Sequence, residues 1–196
     1  MCFKSDFLRS QIVTLKNFSI NEIKIDEHLK LRQHIPQKDA RAFFVIYSDQ
    51  EAFKYFERDT YPGDKYSDAF IKVMESRIKG FARKNDYAWV VEYEGLAIGQ
   101  IQLYDFQTKN TACTIGYFLK REYWNRGINT RCVKAVCDFA FHEMNLVRIE
   151  AYAHVDNIAS NRSLEKADFA LEGCLKKKWL IRGEFCDVNL WALTAD

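Results

Sequence analysis

The run Gly116-Tyr117-Phe118-Leu119, followed by Tyr123-Trp124-Asn125-Arg126-Gly127-Ile128-Asn129-Thr130, holds the residues whose types and spacing most readily do chemistry. A strand that passes through a short loop into a helix start presents unpaired backbone N–H groups and the positive end of the helix dipole. A glycine at the junction lets an anion approach the backbone. Arg126 adds a fixed charge, and Asn129 or Thr130 can cap the helix or donate to a phosphate oxygen. The chemistry on offer is therefore anion binding, with a phosphate as the natural ligand. The same residues also suit an ordinary glycine turn with Asn129 as N-cap, and on these residues alone the plainer reading is preferred. A metal is not expected, because the six cysteines (Cys2, Cys113, Cys132, Cys137, Cys174, Cys186) contain no C-x-x-C pair and the four histidines do not cluster with them.

The elements that must position this run follow from periodicity. Alternating apolar residues from Ile23 to Leu31 predict a strand, and Pro36 punctuates the chain before a helix that carries Ala40, Phe43, Phe44 and Tyr47 inward. Phe70, Val73, Met74, Ile78 and Phe81 share one face of a second helix. After Asn85 the period changes. Tyr87 to Tyr93 and Leu96 to Leu103 read as a hairpin around Glu94-Gly95, and Thr111 to Leu119 as a third strand. The glycine turn then opens a helix whose inward face is Val133, Val136, Cys137, Ala140 and Met144. Arg148 to Ala153 reads as a buried strand, Ser160 to Ala167 as a short helix, and Leu171 to Leu180 with Phe185 to Leu193 as a closing strand pair around Arg182-Gly183. The alternation predicts an α/β (α+β) domain, a mixed sheet with helices on its faces.

At 196 residues, with 48% hydrophobic and 29% charged side chains, one core is expected. Residues 1–27 read as an ordered extension packed on a domain spanning 28–196. The net charge of +2 carries no block of like charges, so no nucleic-acid partner is indicated. There is no apolar run long enough to span a bilayer and no apolar leader, so no membrane partner is expected and the thiols read as reduced in a cytoplasmic protein. A monomer or a homodimer is compatible with the sequence.

The order of segments resembles the GNAT superfamily of acetyltransferases, and within it the Rim-type, ribosomal-protein-alanine N-acetyltransferase branch. The likeness runs from about Leu29 to Leu193. It is carried by Leu29-Lys30-Leu31-Arg32, Asp39-Ala40, Glu94 to Gly99, Gly116-Tyr117, Arg126 to Thr130, Arg148-Ile149-Glu150-Ala151, Asp156 to Ser160, Leu164-Glu165-Lys166, Phe169, Glu172-Gly173 and Gly183 to Asp187. The resemblance implies a mostly antiparallel GNAT sheet, splayed where acetyl-CoA, used as a co-substrate, lies. It implies that Phe118 and Leu119 pair by backbone with the pantetheine arm and that Arg126, Gly127, Ile128, Asn129 and Thr130 cradle the pyrophosphate. It also implies that the Asn157 amide meets the cofactor arm and that Ser160 sits near the coenzyme sulfur, although helix capping explains Asn157 and Ser160 as well.

Three positions depart from the family pattern. Leu164 stands where a tyrosine acts as general acid in family members with the Leu-Tyr-Glu-Lys pattern, leaving Ser160 or water for that role. Ala167-Asp168-Phe169 replaces Leu-Gly-Phe. Trp179 occupies about the place of a glutamate base early in the penultimate strand, so Glu150, Glu92 and Asp105 remain candidates for the base. The expected activity is acetyl transfer to a primary amine, leaning to a peptide or ribosomal-protein N-terminus. An α-amine of pKa ~7.8 is roughly a quarter neutral at a cytoplasmic pH of about 7.3, whereas a lysine or polyamine amine near ~10.4 is neutral to about one part in a thousand. A small-amine (polyamine or aminoglycoside) acetyltransferase and a non-catalytic acyl-CoA-binding module are the alternatives.

Overall fold

The structure is a computed structural model that describes residues 22–56, 69–84, 86–107 and 111–195, with the backbone alone at 69 and over 81–84. The expected ordered extension falls mostly outside the described residues. Eight strands form one sheet in the order β1-β2-β3-β4-β5-β6-β8-β7. They are β1 (Ile23–Lys24), β2 (Leu29–Arg32), β3 (Tyr87–Tyr93), β4 (Leu96–Tyr104), β5 (Ala112–Leu119), β6 (Arg148–His154), β7 (Ala170–Ile181) and β8 (Glu184–Thr194). Helices α1 (Pro36–Ser48), α2 (Ala69–Lys84), α3 (Ile128–His142) and α4 (Ile158–Glu165) complete the fold. Every strand pair is antiparallel except β5 with β6. The α/β expectation, a mixed and mostly antiparallel sheet, is the observed architecture.

The segment Ile23 to Leu31 is not one strand. Asp26 accepts from the backbone N–H groups of His28 and Leu29, folding the chain into a tight turn between β1 and β2. An aspartate that bonds the backbone two and three residues on makes a turn more stable than extended chain. Along β6, Ile149, Ala151 and Ala153 are buried while the residues between them are half-exposed, so this strand alternates where a fully buried one was expected. Its second face borders a cleft.

The sheet separates two cores. On one face α3 and α4 pack Ile128, Cys132, Val133, Val136, Cys137, Ala140 and Leu164 against Trp89, Ile101, Ile115 and Ile149. On the other, α1 and α2 pack Phe43, Ile46, Tyr47, Phe70 and Met74 against Val90, with Phe118 at the margin. Ile46 joins the expected residues on the inward face of α1, and the half-buried Phe44 packs at its edge against Phe70. The described cysteines are unpaired, and Cys113, Cys132 and Cys137 are buried.

Buried charge fixes the start of α1 on the sheet. Arg32 donates to both carboxylate oxygens of Asp39, at 2.6 and 2.9 Å, and to Glu92 at 2.6 Å, while Lys38 reaches Glu92 at 2.9 Å. Asp39 also accepts from the Ile35 N–H at 2.7 Å, holding the chain at the helix entry. Burial pushes the Glu92 carboxyl up, but the hydrogen bonds and charges of Lys38 and Arg32 outweigh it and hold the group at about 2. A carboxylate whose folded pKa lies below its unfolded value of ~4.3 adds stability that is present at neutral pH and lost as the pH falls toward the folded value. Glu92→Gln is therefore expected to melt several degrees below the wild type at pH 7, with the gap narrowing toward pH 3. Thermal denaturation across that range tests this, and a pH-independent gap would mean that the charge on Glu92 contributes nothing.

Candidate active site

Strands β5 and β6 pair in parallel for only three residue pairs, Ala112 with Arg148, Cys113 with Ile149 and Thr114 with Glu150. Beyond them β5 stays with β4 up to Leu119, and β6 stays with β8 up to His154. Each strand follows its outer neighbour, so the two part and a wedge opens between them. A cleft of about 1110 Å³ fills that wedge, large for a small-molecule site.

Alternation along β5 decides which backbone groups face the wedge. The Lys120 N–H donates to Ile98 O on β4, and the Phe118 carbonyl lies against Gly99, where an added Cβ would meet it at 2.3 Å. In an antiparallel ladder, successive residues turn their N–H and C=O to opposite sides. Phe118 therefore spends its backbone on β4 and packs its ring against Phe43, Tyr47, Phe53 and Phe56, whereas Tyr117 and Leu119 turn their backbones toward the wedge. The Leu119 carbonyl is already taken by the Trp124 indole N–H at 2.8 Å, which leaves the Leu119 N–H. Of the expected pair Phe118 and Leu119, only Leu119 turns its backbone to the wedge, and Tyr117 does so in place of Phe118.

The turn after β5 leads straight into the mouth of the wedge. Asn125 (φ 60°) and Gly127 (φ 70°) are both left-handed, and Gly127 is the N-cap residue of α3. The first helical bond runs from the Arg131 N–H to Gly127 O, so the N–H groups of Ile128, Asn129 and Thr130 have no carbonyl within the helix to bond. Asn129 does not cap α3. Its Nδ2 donates to Ser163 Oγ at 2.8 Å, and Thr130 Oγ1 lies 3.1 Å from the same atom, because both side chains turn inward to α4. Ile128 is buried and anchors the helix start. The Arg126 guanidinium lies 5.2 Å from the Tyr123 ring centre, at the cleft rim. A side chain at Gly127 would enter open space, room that a ligand can use.

Helix α4 forms the far wall. Asn157 caps it, its Oδ1 accepting from the Ser160 N–H at 3.1 Å, which leaves the amide nitrogen outside the cap. Asn157 and Ser160 both border the cleft, together with Phe118, Leu119 and Arg126 to Thr130. The residues expected to hold the cofactor and to serve the leaving sulfur thus meet in one space. Leu164 is buried in the core and offers no donor.

Of the three candidate bases, Glu92 is excluded because it is locked among Lys38, Lys30 and Arg32 away from the cleft. Glu150 and Asp105 border the cleft. Glu150 accepts from Arg148 Nε at 2.8 Å and from the Tyr152 hydroxyl at 2.9 Å, so it is both an ion-pair residue and a wall residue. Trp179 lies on β7 and also borders the cleft.

Two contributors were not legible as site residues. Asn161 donates to the carbonyls of His154 and Asn157 and accepts from Asn189 and the Trp191 indole, tying α4 to β6 and β8. Its signal was an asparagine inside a helix, where intrinsic propensity disfavours it. Tyr117 puts its hydroxyl 2.9 Å from Ser160 Oγ. Strand alternation from Leu119 would have placed it on the helix side of β5.

Comparison with known proteins agrees with this geometry. The family model described as an acetyltransferase (GNAT) domain matches residues 28–170. The ribosomal-protein-serine acetyltransferase of Escherichia coli K12 is 29% identical over 118 residues, covering 60% of this chain and 64% of the relative. The spermidine N(1)-acetyltransferase of the same organism is 22% identical over 157 residues, covering 80% of this chain and 81% of the relative. The solved structure of the ribosomal L7/L12 α-N-protein acetyltransferase RimL in complex with coenzyme A superposes with a TM-score of 0.78 at 22% identity, covering 90% of this chain and 99% of that one. A parted sheet with a bare helix start at its mouth, matched by the family model over most of the described chain, has one conclusion: the protein belongs to the GNAT acetyltransferase family, with relatives in the Rim branch, and is an N-acetyltransferase.

Proposed function

We propose that the protein transfers the acetyl group of acetyl-CoA to the α-amine of a peptide or ribosomal-protein N-terminus, by direct attack within a ternary complex. The observation that carries the cofactor assignment is the wedge between β5 and β6 with the unbonded N–H groups of α3 at its mouth. Those N–H groups, the helix dipole and Arg126 suit a pyrophosphate. The Tyr117 and Leu119 backbones suit an extended amide-bearing arm, which would add itself to β5 as a strand does. Asn157 and Ser160 would then lie at the thioester end.

The chemistry needs little from the protein. The amine nitrogen attacks the thioester carbonyl, the carbonyl electrons move onto oxygen, and the tetrahedral intermediate collapses with cleavage of the C–S bond. Holding amine and thioester together supplies much of the acceleration. The thiolate, of pKa near ~8.5, is a tolerable leaving group, so a serine hydroxyl suffices as proton donor. Ser160 fills that role at the cleft edge, where Leu164 cannot.

An α-amine acceptor, already partly neutral near neutral pH, asks little of a general base. Glu150 is compensated by Arg148, and Asp105 is the other carboxylate of the candidate set on the cleft wall. The E. coli spermidine enzyme among the relatives, together with Asp105, favours the rival polyamine acceptor. Release of free thiol from acetyl-CoA at neutral pH decides between them. A higher kcat/KM is expected for short peptides with free α-amines than for spermidine, and the reverse order would replace the peptide by a polyamine. In the same assay Ser160→Ala is expected to lower kcat by roughly 10- to 100-fold with coenzyme A affinity little changed. An unaltered kcat would reduce Ser160 to a residue of the helix start.

A further inference from the structure

Tyr117 carries a hydroxyl into the site that the reaction scheme above does not use. The residue sits on β5 between the two positions Gly116 and Phe118, half-buried against α3 and α4, with its ring among the residues of the larger core. Its hydroxyl lies 2.9 Å from Ser160 Oγ, and this is the contact the structure gives Ser160's side chain. Burial raises the phenol to about 12 against the opposing pull of its hydrogen-bonding neighbours, Ser160 first among them.

The direction of the chain follows from what each group is able to do. The Asn129 amide nitrogen can only donate, and it donates to Ser163 Oγ at 2.8 Å. Ser163 Oγ is thereby an acceptor, and its own proton is free for Thr130 Oγ1 at 3.1 Å, so this pair is satisfied within α3 and α4. At the 2.9 Å contact between Tyr117 and Ser160 either hydroxyl can donate, but once the Ser160 proton is committed to a group in the cleft only the phenol is left to do so. In that state Ser160 Oγ accepts from Tyr117 while its own proton turns toward the cleft that Ser160 borders.

We propose that Tyr117 is a positioning residue of the acetyl-transfer step: by donating to Ser160 Oγ it aims the serine proton at the departing sulfur. The inference rests on the acetyl-transfer reading above. In the step concerned the C–S bond breaks with its electron pair going to sulfur, and the Ser160 proton moves to that sulfur. The serine regains a proton from water in the cleft, to which the acetylated amine has released its own, so the sum is amine plus thioester giving amide plus thiol. Tyr117 does not ionise at any point, in keeping with its raised pKa. It also offsets negative charge on Ser160 Oγ while the proton is in transit. The tyrosine therefore does from β5 part of what the missing hydroxyl at Leu164 cannot do from α4.

A double-mutant cycle on the full chain tests this, with acetyl-CoA and the best amine of the acceptor panel. Tyr117→Phe keeps the ring and removes the hydroxyl. It is expected to lower kcat by about 10-fold while KM for acetyl-CoA stays within about twofold, with circular dichroism and the thermal midpoint showing an intact fold. Tyr117→Phe combined with Ser160→Ala is expected to be no slower than Ser160→Ala alone, because the tyrosine acts only through the serine. Losses that multiply in the double variant, or a Tyr117→Phe enzyme with normal kcat where Ser160→Ala is slow, would overturn the role of Tyr117 and leave acetyl transfer standing. A wild-type protein that acetylates no amine while still binding coenzyme A would overturn both.

Discussion

Backbone polar groups inside a protein must be bonded, and beyond Thr114 and Glu150 the facing edges of β5 and β6 are not bonded to each other. The sheet cannot close there, because β4 holds β5 through Leu119 and β8 holds β6 through His154. The two halves of the sheet are each well paired and diverge as rigid units. What remains is a stretch of strand edge that asks for a partner with amide groups of its own. The remaining site features follow from that gap. Helix α3 must start at the top of β5, so its bare N-terminus falls at the mouth of the wedge. Helix α4 must follow β6, so Asn157 and Ser160 fall on the other side.

The two faces of the sheet are fastened to their helices by different means. On the α1 side, Arg32, Asp39 and Glu92 form a buried charged network whose members satisfy one another. Removing one partner from such a network leaves an uncompensated buried charge, which is why these residues belong to the scaffold and not to the chemistry. On the α4 side the fastening is neutral. Asn161 makes four hydrogen bonds, and Asn129, Thr130, Ser163, Tyr117 and Ser160 share hydroxyl and amide contacts between α3, α4 and β5. Positive charge reaches the cleft from the α3 helix dipole and Arg126 and, at α4, from Arg162 and Lys166.

Much of this was legible from residue order. The hairpin around Glu94-Gly95 is found as read, since both residues adopt the positive φ that such a turn requires. The inward face of α3 is also as read, because a long amphipathic helix against a sheet obeys its period closely. The misreadings share a cause. Whether Asn129 caps its own helix or bonds the next, whether Phe118 or Tyr117 turns its backbone to the wedge, and whether Glu92 is a base or a buried ion-pair partner all depend on neighbours distant in sequence. Ser163 lies 34 residues from Asn129, and Arg32 lies 60 from Glu92. Local pattern assigned the elements correctly, the stretch from Ile23 to Leu31 aside, and left the roles of polar side chains to tertiary contacts.

The most direct test of the wedge as the cofactor site is the pattern of backbone amide shifts when coenzyme A is titrated into the isotope-labelled protein. The amides of Tyr117 and Leu119 should move together with those of Ile128, Asn129 and Thr130, tracing one extended molecule from the parted strand to the helix start. Saturable binding that leaves the Ile128 to Thr130 amides unmoved, with the shifts gathered on another part of the sheet, would contradict it.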